Sequence, residues 1–475
     1  MDRAAGTGME KLPPGIWKIV AVTVCGTLLA QMDATVVNVS LSQLAADLHA
    51  SLQWIQWVTS GYLLALALTL PLNGWLVERL GAKRVYLLCF TGFTLSSALC
   101  AMSWSANSLI GFRILQGMSG GLMAPMAQLM IAKAAGKQMA RVAGYAIVPV
   151  LLGPVAGPVL AGTVLQYATW HWLFLINVPI GVLGIVLAIL FLPRDGHEER
   201  SSRKLDIGGL LLLSPALVLL LYGMEHLNEH AGLAAFGLSL ALLAGFFYKA
   251  RRDGERALLD LKLFRRRVFA TAAITQFTGN GLLFAVQMLV PVYLMRGAGE
   301  SPSMTGWLMA PMGMGMMITS PLVGRLTQRY GIRGTSSRGA MLALVSTLML
   351  IYLSIERLNP WLVGMVLFLR GMGTSAVGIP SMSAAYASVP RAELPMATTS
   401  MNIVQRLGGP TLTTLCAGFL GWRLGGAQIG AGRPGAFPES FALLCGLQLL
   451  LWLATLRLPR DMEEAEESKK TAAAA

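Results

Sequence analysis

Charge is what this sequence has least of, and the little it has is unevenly spread. Only 13% of its 475 residues are Asp, Glu, Lys or Arg, against 55% hydrophobic residues. A chain this apolar over this length excludes a single soluble core and has the profile of a protein with many membrane spans. Acids are scarcer than bases, 23 against 37, for a formal charge of +14. Such an excess signals nucleic acid only when the bases gather in a patch, and here they are dispersed between apolar runs. Paired cysteines are absent too. Cys25, Cys89, Cys100, Cys416 and Cys445 all fall in or at the ends of apolar runs, so they read as small packing residues and no disulfide is expected. No cleavable leader is visible, because the first apolar run is full length with no small-residue cleavage site after it. Catalytic sets are missing as well: no nucleophile with a base, phosphate loop or carboxylate dyad stands out, and neither enzyme activity nor a cofactor is expected.

What is present is a series of apolar runs of about 17 to 25 residues, the length that crosses a bilayer. Fourteen candidates begin near Trp17, Leu52, Arg84, Asn107, Val142, Trp172, Asp206, Ala231, Val268, Ser303, Gly339, Trp361, Thr398 and Glu439. With the first end inside, the inner segments hold 30 of the 37 Lys and Arg, and the outer loops hold four, Arg296, Arg357, Arg423 and Arg433. The positive-inside rule then places both termini in the cytoplasm. The basic excess becomes a topology signal that also faces anionic lipid heads, and no nucleic-acid partner is expected.

The chain repeats itself. Pro71-x-x-Gly74 followed by Gly81 recurs as Pro321-x-x-Gly324 followed by Gly331, and Gln116-Gly117-Met118 with Pro125 has an echo in Arg370-Gly371-Met372 with Pro380. The spacing between echoes exceeds six helices by about two spans. It predicts an N-terminal six-helix bundle over 1–200, an inserted helix pair over 201–255, a C-terminal six-helix bundle over 256–460 and a cytoplasmic tail over 461–475. Leu258 to Arg267, LLDLKLFRRR, reads as an amphipathic strip on the inner membrane surface.

Charge inside a span is expensive, on the order of 3 kcal/mol per group near the centre, so the few instances are informative. They are Asp33 in the first run, Arg113 in the fourth, Arg370 in the twelfth and Arg406 in the thirteenth. Asp33 and Arg113 both lie roughly 8 to 9 Å below the outer surface, counting 1.5 Å per residue, and opposite charges at one depth can meet. Pairing with arginine favours the charged carboxylate and isolation in an apolar cleft favours the protonated one. The pair therefore reads either as an energy-coupling device that parts and takes a proton, or as a permanent lock on helix packing. Glu225 is a second titratable group, at an interfacial position. Arg370 and Arg406 have no evident acidic partner. They either face a neutral, zwitterionic or anionic substrate or bond backbone carbonyls, Asn402 and Gln405. Further cavity polarity is expected from Gln31, Gln116, Gln276, Asn280 and Gln287, with Met288, Met309, Met312 and Met316 as adaptable apolar lining.

Glu225-His226-x-x-Glu229-His230 carries a spacing that binds zinc on a helix, but it falls in a turn between two runs. No metal site is expected there, and His49, His171 and His197 are scattered.

Several strings together resemble a known family. GWLVERLGAKR (Gly74 to Arg84) resembles motif A of the major facilitator superfamily and FRILQGMSGGLMAP (Phe112 to Pro125) resembles its motif B. Gly153-Pro154, Gly157-Pro158 and Gly162 resemble the antiporter motif C. MDATVVNVSL (Met32 to Leu41), WHWLFLINVPIG (Trp170 to Gly181) and LLDLKLFRRRVF (Leu258 to Phe269) are similar to what bacterial exporters of the fourteen-helix drug:proton antiporter branch carry there. The resemblance implies an all-α major facilitator fold of fourteen transmembrane helices, two six-helix bundles plus two central helices, with substrate held between the bundles. It implies a conformational latch made by Gly74, Glu78, Arg79, Gly81, Lys83 and Arg84, although the family usually has Asp where Glu78 stands. Motif B's arginine, Arg113, is implied in proton coupling. Motif C is implied in direction, its glycines clearing one face of the fifth helix for packing against the other bundle while Pro149, Pro154 and Pro158 kink it. NIVQRLGG (Asn402 to Gly409) reverses the Arg-Gln order of the branch.

The reading is a multi-pass exporter of small amphipathic compounds in a bacterial cytoplasmic membrane, driven by the proton gradient. A metabolite or lipid transporter with another direction or coupling is the alternative within transport, and a membrane-embedded enzyme the alternative outside it. The fold suggests a monomer by analogy. The short outer loop from Arg423 to Pro438 offers no evident surface for an adaptor protein.

Overall fold

Glycine and proline cut an otherwise continuous helical chain into its segments. A computed structural model describes residues 15–193, 204–227, 229–254, 257–355, 359–424, 435–465 and 467, and every regular element among them is helical. In chain order these are α1 (Ile16–Asp47), α2 (in pieces Leu52–Ile55, Trp57–Thr69 and Leu72–Leu80), α3 (Ala82–Ala101), α4 (Ala106–Ala135), α5 (Met139–Tyr167) and α6 (His171–Leu175 and Asn177–Phe191). There follow α7 (Ile207–Glu225), α8 (His230–Asp253) and α9 (Arg267–Val292, closed by a π turn at Tyr293–Gly297). Next come α10 and α11 (302–330 and 332–355, broken at Gly331), α12 (Pro360–Ala387), α13 (Leu394–Leu424) and α14 (Ala436–Thr455). A helical segment covers each of the fourteen apolar runs. Nine helices of the described residues are long and apolar enough to cross a membrane, the α10–α11 run counting as one, or ten if the bent pieces of α2 form a span. His197, Arg357, Arg433, the side chains of Glu225, Pro154 and Pro158, and most of the loop before α14 lie outside the described residues.

Two groups of helices pack mainly within themselves. In one, α2 lies on α4, α1 on α5, and α3 on α4 and α6; in the other, α12 lies on α10–α11 and α9 on α13. The repeated motifs stand at corresponding seams. Gly117 of α4 sits where an added Cβ would come 2.4 Å from the carbonyl oxygen of Tyr62 in α2, and Gly371 of α12 where it would come 2.0 Å from that of Met312 in α10. Only glycine permits backbones this close.

Gly81 (φ +89°) and Gly331 (φ +73°) make the two motif A turns in a conformation that L side chains rarely adopt. Beside the first, Lys83 Nζ donates to the carbonyls of Ile189 and Leu192, both at 2.8 Å, satisfying the open end of α6. Beside the second, the amides of Ile332 and Arg333 donate to the carbonyls of Arg460 and Pro459 at 2.8 and 3.1 Å. One buried cluster contains Ile16, Ala82, Leu192, Ile332 and Leu458. Both turns, the start of α1 and the segment after α14 therefore share one face, called the clamp face below.

Near that face the two groups touch. Asn73 of α2 donates to Thr399 Oγ1 of α13 at 3.0 Å, and Gly74 leaves room for Met396. Gly144 of α5 packs on the carbonyl of Ser320, and Gly324 of α10 on the backbone of Arg141. Each copy of the Pro-x-x-Gly element thus presents its glycine to the opposite group.

The pair α7–α8 packs against α2 and α13. Ser214 donates to the carbonyl of Leu68 in α2 at 2.8 Å, and Thr414 of α13 donates to the carbonyl of Met224 at 3.4 Å. Asp206 caps α7 and bonds Lys249 of α8 at 2.7 Å. Burial alone would raise its carboxyl, but hydrogen bonds from Lys249 and from the amides of Gly209 and Leu258 outweigh it and hold the group below its usual value. The expected surface strip differs from expectation. Leu258, Leu259 and Leu263 are buried in the protein, and Leu261–Arg265 is only a short 3-10 turn. A hollow beside α2, α7, α8 and α13 takes up Leu258 and Leu259, each leucine gaining about 1.5–3 kcal/mol over exposure to water. Arg266 meanwhile donates to Glu393 at 3.0 Å.

Candidate transport site

Asp33 and Arg113 meet. The carboxylate of α1 lies 2.5 Å from Arg113 Nη1 of α4, with both side chains almost wholly buried. Every remaining polar atom but one is occupied. Asp33 Oδ1 accepts from Asn177 Nδ2 of α6 at 2.7 Å and from Gln116 Nε2 at 3.2 Å. Arg113 donates to Gln116 Oε1 at 2.7 Å and, through Nε, to the carbonyl of Val58 at 3.2 Å, leaving Nη2 without a partner. Asn177 continues to Ser97 at 3.1 Å. A buried pair is tolerable when hydrogen bonds satisfy its remaining capacity, and this one comes close.

Between the groups lies a cavity of about 1270 Å³. It is walled by α1, α2, α4, α5, α9, α10, α11, α12, α13 and α14, and also by Leu221, Tyr222, Met224, His226 and Glu229 of the α7–α8 pair. Exposed Gln53, Gln56 and Trp57 lie at its mouth, away from the clamp face. Its floor is tied across the groups: Gln128 Oε1 of α4 accepts from Tyr386 of α12 and from Asn402 Nδ2 of α13, both at 2.8 Å.

The ion pair does not line this cavity. Tyr62 stands between them. Its ring lies 4.2 Å beneath the Arg113 guanidinium while the residue also forms cavity wall.

Of the residues expected on the wall, Gln31, Gln276, Asn280, Arg370, Asn402, Gln405 and Arg406 are there, as is Met316. Gln116, Gln287 and Met312 are not. Gln116 falls on the same helix face as Arg113, three residues on, and is consumed by the ion pair. Gln287 is exposed about 10 Å further along α9 than Asn280, past the lining, and Met312 is buried where α10 meets Gly371. Met288 and Met309 are also off the wall.

The polar wall residues are mostly bonded to one another. Gln276 donates to the Gly378 carbonyl at 2.6 Å and to Ser381 Oγ at 2.9 Å, Gln405 donates to Gln276 Oε1 at 2.8 Å, and Asn280 donates to the Gln405 carbonyl at 2.5 Å. Arg370, 2% exposed, donates to the Ala343 carbonyl at 3.2 Å and to Thr347, while its Nε has no partner. Arg406 bonds to none of the described residues.

Motif C also packs otherwise than expected. Gly153 and Gly157 of α5 face Gln31, Met32 and Thr35 of α1, within their own group, and Gly162 faces open space. The cavity separates the two groups at this depth, so the cleared face takes the nearest backbone, that of α1. The helix runs unbroken from Met139 to Tyr167 through all three prolines. In motif A, Gly74 reaches the other group, while Arg79 and Arg84 are exposed and Glu78 is half-buried. His226 ends α7, stacked on Tyr222, and His230 begins α8. A helix break thus parts the two imidazoles.

Spacing arguments missed Tyr62, Gln128, Asn177 and the α7–α8 contribution to the wall. Asn177 carried a usable signal, as a lone amide in an apolar string.

The sequence profile of the Major Facilitator Superfamily matches residues 23–413. A multidrug resistance protein B homolog of Mycobacterium tuberculosis is 32% identical over 432 residues, 88% of this chain and 79% of its own length. A putative multidrug resistance protein MdtD of Serratia proteamaculans is 33% identical over 361 residues, 74% of each chain. A double tryptophan mutant of XylE superposes with a TM-score of 0.67 at 14% identity, covering 96% of this chain and 98% of that one. The human organic anion transporter MFSD10 superposes with a TM-score of 0.64 at 17% identity, covering 93% and 100%. At such identities the two structures speak to the fold alone. A two-group helical frame around a central cavity, the profile match across most of the chain and relatives above 30% identity lead to one conclusion: the chain belongs to the Major Facilitator Superfamily of multi-pass membrane transporters.

Proposed function

We propose that the protein exports small amphipathic compounds across a bacterial cytoplasmic membrane in exchange for protons, with both termini inside. Relatives named for multidrug resistance support drug efflux as the physiological class. The clamp face is then cytoplasmic, and a cavity open on the other side and tied at Gln128 is an outward-facing state. Alternating access requires those ties to part and the mouth to close.

The observation that carries the coupling is the buried Asp33–Arg113 pair beside Tyr62, which also forms cavity wall. A carboxylate held by arginine stays charged, and one freed into an apolar setting takes a proton. Rearrangement of α1 against α4 converts a conformational step into a protonation step. Substrate uptake into inverted vesicles under an imposed proton gradient tests this, with lipophilic cations, neutral compounds and organic anions as the panel. Gradient-driven uptake should occur in the wild type and vanish in Asp33→Asn. Concentration against a gradient by Asp33→Asn overturns the coupling role, and net movement in the opposite direction overturns export.

A further inference from the structure

Building on the exporter reading, we propose that the cavity selects small organic anions, an oxyanion of the substrate docking on Arg406. The charged residues on the described wall are Arg370, Arg406 and Glu229. Glu229 is exposed at the tip of the α7–α8 turn, so the deeper wall is positive.

Arg406 is not spent on the protein, and Arg370 is spent only in part. Arg406 bonds to none of the described residues, and the amides beside it are engaged elsewhere, Gln405 with Gln276 and Asn402 with Gln128. Arg370 uses Nη1 alone, leaving a buried Nε without a partner. A cation with no carboxylate partner at membrane depth marks function by default, whereas Arg113 in this same chain is paired with Asp33. A planar guanidinium with free donors matches carboxylate, sulfonate or phosphate geometry. The same cavity has apolar wall from Leu63, Ile147, Leu283 and Phe284, which suits a ligand with one charged end and an apolar body. A cationic compound would meet a like charge there, and the acid on the described wall, Glu229, lies exposed at the α7–α8 turn.

The test is equilibrium binding to the full chain in lipid nanodiscs, with no gradient, using three probes of one shape: tritiated naphthalene-2-carboxylate, 2-naphthamide and 2-naphthylmethylammonium. The carboxylate should bind about tenfold or more tighter than either other probe. Arg406→Gln should remove that preference, weakening the carboxylate by about tenfold and the amide by less, Arg406→Lys should keep part of it, and Arg370→Lys should weaken it less than Arg406→Gln. Equal binding of the three probes, no binding of the carboxylate, or an unchanged preference in Arg406→Gln overturns the proposal. If Arg406→Gln does not fold, the carboxylate-to-amide ratio in the wild type and in Arg406→Lys decides. Because no gradient is present, carboxylate binding without proton-driven transport sinks the antiport reading alone, and proton-driven transport without anion preference sinks this one alone.

Discussion

The two helix groups share a packing seam and differ in how they treat the charge beside it. In the first, α4 meets α2 at Gly117 and the nearby Arg113 is enclosed with Asp33, Gln116 and Asn177. In the second, α12 meets α10 at Gly371 and the adjacent Arg370 bonds the Ala343 carbonyl and Thr347 with no acid among the described residues. One arrangement is neutral and hidden from the cavity, and the other is cationic and turned toward it. The same backbone contact occurs twice, while the polar residues next to it differ: one arginine is enclosed with a carboxylate, and the other is buried against a carbonyl and a hydroxyl with no acid beside it among the described residues.

The largest effect should come from breaking the sealed side. Arg113→Gln strands a buried carboxylate and should cost about 3–5 kcal/mol of stability, read by thermal unfolding in detergent. Asp33→Asn combined with Arg113→Gln should cost less than the sum of the singles, and strict additivity would show that the two do not act as a pair. The shared seam comes next. Gly117→Ala and Gly371→Ala each push a methyl against a carbonyl oxygen and should each cost about 1–3 kcal/mol; a marked loss in one but not the other breaks the correspondence between the groups. Gln128→Ala removes the acceptor that ties them and should shift the population toward opening on the clamp face by about 1 kcal/mol per bond lost, seen as longer spin-label distances between α4 and α12. The smallest effect belongs to the open side: Arg406→Gln should change stability by no more than about 0.5 kcal/mol, since no described protein group loses a partner. A loss as large as that of Arg113→Gln would erase the contrast.

Much of the frame was legible in the sequence because membrane helices announce themselves by apolar length and their turns by glycine, as at Gly81 and Gly331. The meeting of Asp33 and Arg113 was legible for a related reason, since few intramembrane charges exist and these two share a depth. What one helix's spacing leaves open is which neighbour fills a cleared face. Gly153 and Gly157 mark a close approach on α5, yet nothing in their spacing chooses α1 over the opposite group. Gln116 and Met312 were drawn to the cavity by polarity and softness, but α4 and α10 turn them elsewhere. Tyr62 gave no warning at all, because a tyrosine in an apolar run looks the same whether it faces lipid, packs in a core or divides two compartments.

The position of α7 has a mechanical meaning. Ser214, near the middle of the helix, is fastened to α2, and Met224, near its end, is fastened to α13. The helix is therefore bonded to both leaves of the frame at once, and the motion that the proposed exchange requires must be absorbed by tilting α7 or by releasing one of these bonds.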